Sequence, residues 1–217
     1  MEIRGLYAIV DPARIAGGTE DIGRVEEVTR AILRGGASVV QLRDKESPSR
    51  QKYRLACALA PVCAEFGVPF IVNDRLDVAL ASGADGVHLG PEDVPVEAVR
   101  RVVGDDFIIG GSAGTVEAAR RLQSEGADYL GVGAIFEARA SKPDASPPRG
   151  PQVISQVVEA VDIPVIAIGG IDERNAAEPM EYGASGVAVI RALMGAEDPE
   201  EAARRLVGAL GARDFSG

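Results

Sequence analysis

One short pattern, written four times, constrains this chain more than any other feature. Gly36-Ala37, Gly83-Ala84, Gly126-Ala127 and Gly183-Ala184 each separate a helix-like stretch from a compact apolar run. A glycine in that place gives the left-handed residue that closes a helix, and the apolar run after it starts a strand. The candidate strands are 6–10, 38–42, 69–72, 86–89, 107–109, 129–132, 164–168 and 186–190. They read as continuous apolar runs without alternation, which predicts strands buried on both faces. The stretches between them carry helical spacing, as in Val25, Val28, Ile32 and Leu33, or Val116, Ala119 and Leu122, with Thr115 as an N-cap.

The four marks fall before the second, fourth, sixth and eighth runs. Doubled strand–helix units, four times over, predict an α/β fold: a single-domain (β/α)8 TIM barrel over residues 1–217. An open doubly wound sheet also alternates strands and helices. Its nucleotide fingerprint is missing, because Gly131-Val132-Gly133 lacks the third glycine at the right place.

Composition removes several classes of function. Asp and Glu outnumber Lys and Arg by 33 to 23, and aromatics are 4% of the chain. Nucleic-acid binding needs clustered positive charge, so no nucleic acid is expected. No apolar run reaches a membrane span and the first residues carry no signal pattern, so no membrane is expected either. Cys57 and Cys63 share one predicted helix and match no metal spacing, which points to a reduced, cytoplasmic protein.

Of the 23 basic residues only Lys45, Lys52 and Lys142 are lysines; Asn73, Asn175 and His88 are equally scarce types. In a barrel the chemistry sits at the C-terminal strand ends. Four of those six residues fall there or in the loops beyond, while Lys52 and Asn175 fall on predicted helices or their starts. Gln41, Arg43 and Lys45 alternate, so an extended segment turns all three one way, toward an oxyanion such as a diphosphate. The bland reading is a solvated strand end neutralised by Asp44 and Glu46. Asp74 and Asp93 follow adjacent strands and suit Mg2+, which takes one or two carboxylates plus phosphate oxygens and water. Taken singly, each aspartate reads better as a cap on the helix that follows.

Residues 134–149 have neither helical nor strand period and hold Arg139, Ser141 and Lys142, a candidate lid over an anion. Gly169-Gly170 and the run into Ile190-Arg191 stand where barrels hold phosphate on bare backbone N–H groups. His88 lies inside an apolar strand and reads as a packed, hydrogen-bonded residue. With no second histidine and no cysteine at a strand end, nucleophilic hydrolysis lacks its parts. Two anion sites across one barrel mouth suggest a two-substrate transfer.

These residues resemble the thiamine phosphate synthase family, over most of the chain. The likeness is carried by Tyr7-Ala8-Ile9-Val10-Asp11, Gln41-Leu42-Arg43-Asp44-Lys45, Val72-Asn73-Asp74, Gly86-Val87-His88-Leu89-Gly90 with Asp93, and Gly111-Ser112-Ala113. It continues through Gly131-Val132-Gly133, Ser141-Lys142, Ala167-Ile168-Gly169-Gly170-Ile171 and Gly186-Val187-Ala188-Val189-Ile190. The resemblance implies Mg2+-dependent coupling of hydroxymethylpyrimidine diphosphate with a thiazole phosphate, releasing pyrophosphate. It implies that Gln41, Arg43, Lys45 and Asn73 hold the diphosphate and that Asp74 and Asp93 hold Mg2+. Ser112 would meet the pyrimidine, Lys142 with Arg139 and Ser141 the departing pyrophosphate, and Gly170, Ile190 and Arg191 the thiazole phosphate. Lys142, Arg43 and Ser112 are the catalytic candidates. The partners implied are small molecules, with a homo-oligomer left open.

The sequence departs from the family pattern at Pro91 (usually Gln), Gly114 (usually His), Arg191 (usually Ser) and in the loop 137–142, which loses a threonine and gains a residue. The rival readings are a thiazole tautomerase of the same superfamily, an aldolase- or epimerase-type barrel, and an inactive ligand-binding relative. The first is associated with a histidine near Gly114, and the second needs a lysine or base inside the barrel.

Overall fold

The computed structural model describes residues 3–137 and 148–211. Eight parallel strands close into a ring in chain order. They are β1 (Gly5–Val10), β2 (Val39–Leu42), β3 (Phe70–Asn73), β4 (Gly86–Leu89), β5 (Ile108–Ala113), β6 (Tyr129–Gly133), β7 (Val165–Ile168) and β8 (Gly186–Val189). Between and after them run α1 (Ile22–Arg34), α2 (Ser49–Glu65), α3 (Leu76–Ser82), α4 (Val96–Val103), α5 (Val116–Ser124), α6 (Gln152–Val158), α7 (Ala177–Glu181), α8 (Arg191–Met194) and α9 (Pro199–Ala209). This is the (β/α)8 barrel expected from the repeat, with every predicted strand present.

The continuous apolar runs have the predicted cause. Along β1 all six residues are buried. Leu6, Ala8 and Val10 face the helices, while Tyr7 and Ile9 fill the barrel with Val39, Ile71, Tyr129 and Ile166. The helices bring one apolar face each; in α1 it is Val25, Val28, Ile32 and Leu33. Thr115 caps α5, accepting from Ala118 N–H at 3.1 Å.

The four repeat glycines take positive φ, between 72° and 99°, which L side chains resist. The residue two places on from each then joins its strand to the one before. The N–H groups of Ser38, Asp85, Asp128 and Ser185 donate to Leu6, Phe70, Ile109 and Val165 carbonyls at 2.8–2.9 Å. Asp85 Oδ2 also accepts from Phe70 N–H at 2.8 Å, and Asp128 Oδ2 from Ile109 N–H at 2.7 Å. Arg100 ties this end of the ring together. Its guanidinium reaches Asp128 Oδ2 at 2.6 Å and the carbonyls of Gly104, Phe107 and Gly126 at 2.6–3.1 Å. The ring closes where β1 meets β8, with Gly5 opposite Gly186.

One strand runs longer than its sequence suggests. The apolar run ends at Ile109, yet β5 continues through Gly110, Gly111 and Ser112 to Ala113. Gly110 has a steric reason to be glycine: a Cβ there would strike the Tyr129 ring and lie 2.5 Å from His88 Nδ1.

Candidate active site

The C-terminal strand ends gather most of the singled-out residues. Lys45, beyond β2, places Nζ 3.2 Å from Asp74 Oδ2. Asp74 follows β3 and is the non-glycine residue with positive φ, 62°, among the described residues. Aspartate tolerates that conformation better than most side chains, and Asp74 N–H is held by the His88 carbonyl at 2.8 Å. Asp93, in the loop after β4, accepts from Gly90 N–H at 2.7 Å.

Neither aspartate caps a helix, which corrects the single-residue reading of both. α3 begins after Arg75 and α4 after Pro95, and neither start has a side-chain cap. The two carboxylates interact instead. Partial burial first, and then the charge and hydrogen bond of Asp74, hold the Asp93 carboxyl above its ordinary value, against Gly90 N–H and Lys45. Excess negative charge on adjacent loops, partly compensated by one ammonium, fits a divalent cation. Mg2+ suits two carboxylates because substrate oxygens and water complete its shell.

Arg43 is fixed from below. Asp11, at the end of β1 and 5% exposed, accepts from Arg43 Nη1 at 3.1 Å and from Arg14 Nε at 3.2 Å through one oxygen. So Arg43 is held by the fold and is not a solvated charge, while Lys45 is half exposed. Asp44 turns back on its own loop, accepting from Glu46 and Ser47 N–H groups. Gln41 is buried and donates from Nε2 to Tyr7 Oη at 2.8 Å.

From Gln41 a chain of contacts runs through the barrel to the mouth. Tyr7 Oη lies 2.7 Å from Tyr129 Oη, which lies 3.1 Å from His88 Nδ1; His88 Nε2 lies 2.9 Å from Ser112 Oγ. Ser112 is exposed at the rim. His88 thus has the packed, hydrogen-bonded setting expected of it, and Asn73 stands opposite it in the β3–β4 register. Burial pushes both phenols well above their ordinary value, so Tyr7 and Tyr129 keep their protons. Burial likewise pushes the Cys63 thiol up to about 12, with the Asp85 charge adding to it, so this thiol is no nucleophile at neutral pH.

Across the mouth, β7 leads into Gly169 and Gly170 and β8 runs into Ile190 and Arg191; the two strands pair through Ile168 and Ala188. A Cβ on Gly170 would lie 2.7 Å from Glu137 O and 2.8 Å from Phe136 Cβ. Asn175, expected at a helix start, lies in the turn before α7. Its Nδ2 donates to Gly170 O at 2.9 Å and its Oδ1 accepts from Asp172 N–H at 2.9 Å. It props the glycine turn. Arg139, Ser141 and Lys142 lie outside the described residues.

Sequence reading did not single out Tyr7, Tyr129, Asp11 or Asn175 for a role at the site. The first two look like ordinary core aromatics. The signal that marks Asp11 is a lone carboxylate ending an otherwise apolar strand.

Cationic groups, paired carboxylates and a glycine turn on one barrel rim define a class: a (β/α)8 enzyme that handles phosphorylated substrates. Comparison with known proteins narrows this. The model of the thiamine monophosphate synthase family matches residues 6–193. A thiamine-phosphate synthase from a Roseiflexus species is 48% identical over 202 residues, covering 93% of this chain and 84% of that protein. One from Moorella thermoacetica is 46% identical over 201 residues, 93% of each chain. A solved thiamine phosphate pyrophosphorylase from Pyrococcus furiosus superposes with a TM-score of 0.83 at 39% identity, covering 95% of both chains. The chain belongs to the thiamine monophosphate synthase family, and as such is a transferase of thiamine biosynthesis. A 3-hexulose-6-phosphate synthase, at 15% identity and a TM-score of 0.68, shares the fold alone.

Proposed function

We propose that this enzyme joins hydroxymethylpyrimidine diphosphate to a thiazole phosphate, giving thiamine phosphate and pyrophosphate. The observation that carries this reading is the Lys45–Asp74–Asp93 cluster on adjacent strand ends, one ammonium against two carboxylates. Asp74 and Asp93 would hold Mg2+, which when bound supplies the positive charge that a diphosphate needs in order to leave.

The side chains do the rest by binding and orientation. Arg43, held by Asp11, and Lys45 meet the diphosphate, with Gln41 and Asn73 beside them. Ser112 meets the pyrimidine. Lys142, with Arg139 and Ser141, takes the departing pyrophosphate. Gly170 and the Ile190-Arg191 backbone hold the thiazole phosphate opposite. The carbon–oxygen bond to the diphosphate breaks and the thiazole nitrogen takes the methylene carbon. That reaction needs neutralised leaving-group charge and alignment more than a general base, which suits a mouth with one histidine engaged on both ring nitrogens. The substrates are small molecules, the work is cytoplasmic, and no described helix is long and apolar enough to cross a membrane.

The test is a coupled synthesis assay with both substrates, with and without chelator. Thiamine phosphate and pyrophosphate should appear in equal amounts with Mg2+ and cease when it is removed. Thiazole isomerisation with no joined product would overturn the reading in favour of a tautomerase. Lys142→Ala should lower turnover by about 100-fold or more while leaving the far-ultraviolet spectrum unchanged.

A further inference from the structure

With the Gln41 amide in its present orientation, the contacts from Gln41 to Ser112 take one direction. Gln41 donates from Nε2 to Tyr7 Oη. Tyr7 has one hydroxyl hydrogen, and with its oxygen accepting from Gln41 that hydrogen goes to Tyr129 Oη, 2.7 Å away. Tyr129 Oη, now an acceptor, gives its own hydrogen to His88 Nδ1 at 3.1 Å. A ring nitrogen that accepts carries no proton, so the imidazole proton sits on Nε2 and points at Ser112 Oγ, 2.9 Å away. Ser112 Oγ then accepts from within the barrel, and its own hydrogen faces the mouth.

The setting is built for these groups. Tyr7 and Tyr129 are each 1% exposed. The space for the rings comes from two glycines: Gly110, where a Cβ would collide with Tyr129, and Gly131, where one would lie 3.2 Å from His88 Cε1. Five polar side chains from five strands therefore form one line through an otherwise apolar interior. An unpaired group in that line would be costly to bury.

We infer that Tyr7, Tyr129 and His88 are positioning residues: they form a one-way hydrogen-bond relay that sets Ser112 as a donor, so that the substrate atom facing Ser112 is an acceptor, an unprotonated ring nitrogen or a phosphate oxygen. This rests on the proposed function only in treating Ser112 as part of the substrate site. The relay itself is a property of the free protein. Its reverse is the same line with the Gln41 amide turned over: the His88 proton moves to Nδ1, and Ser112 gives its hydrogen inward and can only accept from a ligand.

His88 is the sole histidine in the sequence, so nitrogen-15 spectra of the uniformly labelled, ligand-free enzyme read the direction without an assignment step. Nε2 couples to both ring C–H groups and Nδ1 mainly to one, which tells them apart. We expect a single neutral tautomer with the proton on Nε2. A proton on Nδ1, or averaged nitrogen signals, overturns the relay. Magnesium pyrophosphate and the unphosphorylated pyrimidine alcohol are then added separately, with binding of each followed by calorimetry. Movement of the Nε2–H signal with the first identifies a phosphate oxygen as the acceptor, and with the second a ring nitrogen. Bound ligand that moves it in neither case overturns the donor role of Ser112.

Activity gives an independent arm. Tyr129→Phe, which keeps the ring, should lower kcat/KM by about tenfold, and should cost almost nothing further in a Ser112→Ala background. An equal loss in both backgrounds would show that Tyr129 acts on the fold and not through Ser112. Absence of thiamine phosphate synthesis alongside an Nε2–H tautomer would count against the proposed reaction and leave the relay standing.

Discussion

At the N-terminal rim of the barrel, Asp85 and Asp128 each accept a backbone N–H from the preceding strand, and Asp128 also holds Arg100. At the C-terminal rim, Asp74 and Asp93 face one another, and a single ammonium reaches the pair. The same residue type closes hydrogen bonds at one end and accumulates charge at the other. The first arrangement joins strands. The second leaves like charges together, which favours binding of a cation and the anion that comes with it. Stability and chemistry are thereby assigned to opposite ends of the same strands.

The largest effects should come from the C-terminal rim and be seen in turnover. Asp74→Asn and Asp93→Asn should each cut synthesis by about 100-fold or more, measured at saturating substrate and magnesium, with little change in melting temperature, because asparagine tolerates the positive φ of Asp74 as aspartate does. If either keeps wild-type activity, the carboxylate pair is not where magnesium acts. Next comes the N-terminal rim, seen in stability. Arg100→Ala strips five hydrogen-bond contacts from a largely buried guanidinium and should cost about 2–4 kcal/mol in urea unfolding. Its kcat/KM, measured well below the transition, should stay within about twofold of wild type. Asp85→Ala removes one acceptor from Phe70 N–H and should cost about 1–2 kcal/mol.

The smallest effect has a sign that separates the rims. Burial and Asp74 raise the Asp93 carboxyl above its ordinary value in the folded protein. Ionising it therefore costs the fold more than it costs the unfolded chain. That penalty is absent below the ordinary carboxylate range and grows as pH rises through that range. Without divalent metal, Asp93→Asn should then melt about 1–2 °C above wild type at pH 7 and level with it near pH 3. A variant less stable than wild type at pH 7 would show that the Gly90 turn, not charge crowding, governs this residue.

The barrel was legible in the sequence because helix-closing glycines and buried strands are local signals. Thr115, the α1 stripe and all eight strands follow from neighbours in the chain. β5 was under-read because Gly110 and Gly111 look like a terminus; Gly110 is a glycine to admit rings that arrive from β4 and β6, and Gly111 is packed against Leu122 of α5. The relay was illegible for a related reason. Tyr7 and Tyr129 lie 122 positions apart, and only closure of the ring makes their hydroxyls neighbours. Asp74 and Asp93 could be placed at the rim from sequence. Their rejection as helix caps required knowing that the helices begin later, after Arg75 and Pro95.

The β1–β8 seam, where Gly5 meets Gly186, bears on how the molecule is made. Of the eight barrel strands, β1 leaves the ribosome first and its second partner, β8, leaves last. Until then β1 offers a bare edge of backbone amides and carbonyls, the kind of edge to which stray strands add. A pause in translation between β7 and β8 should therefore leave nascent chains more prone to aggregate than a pause of equal length after β8.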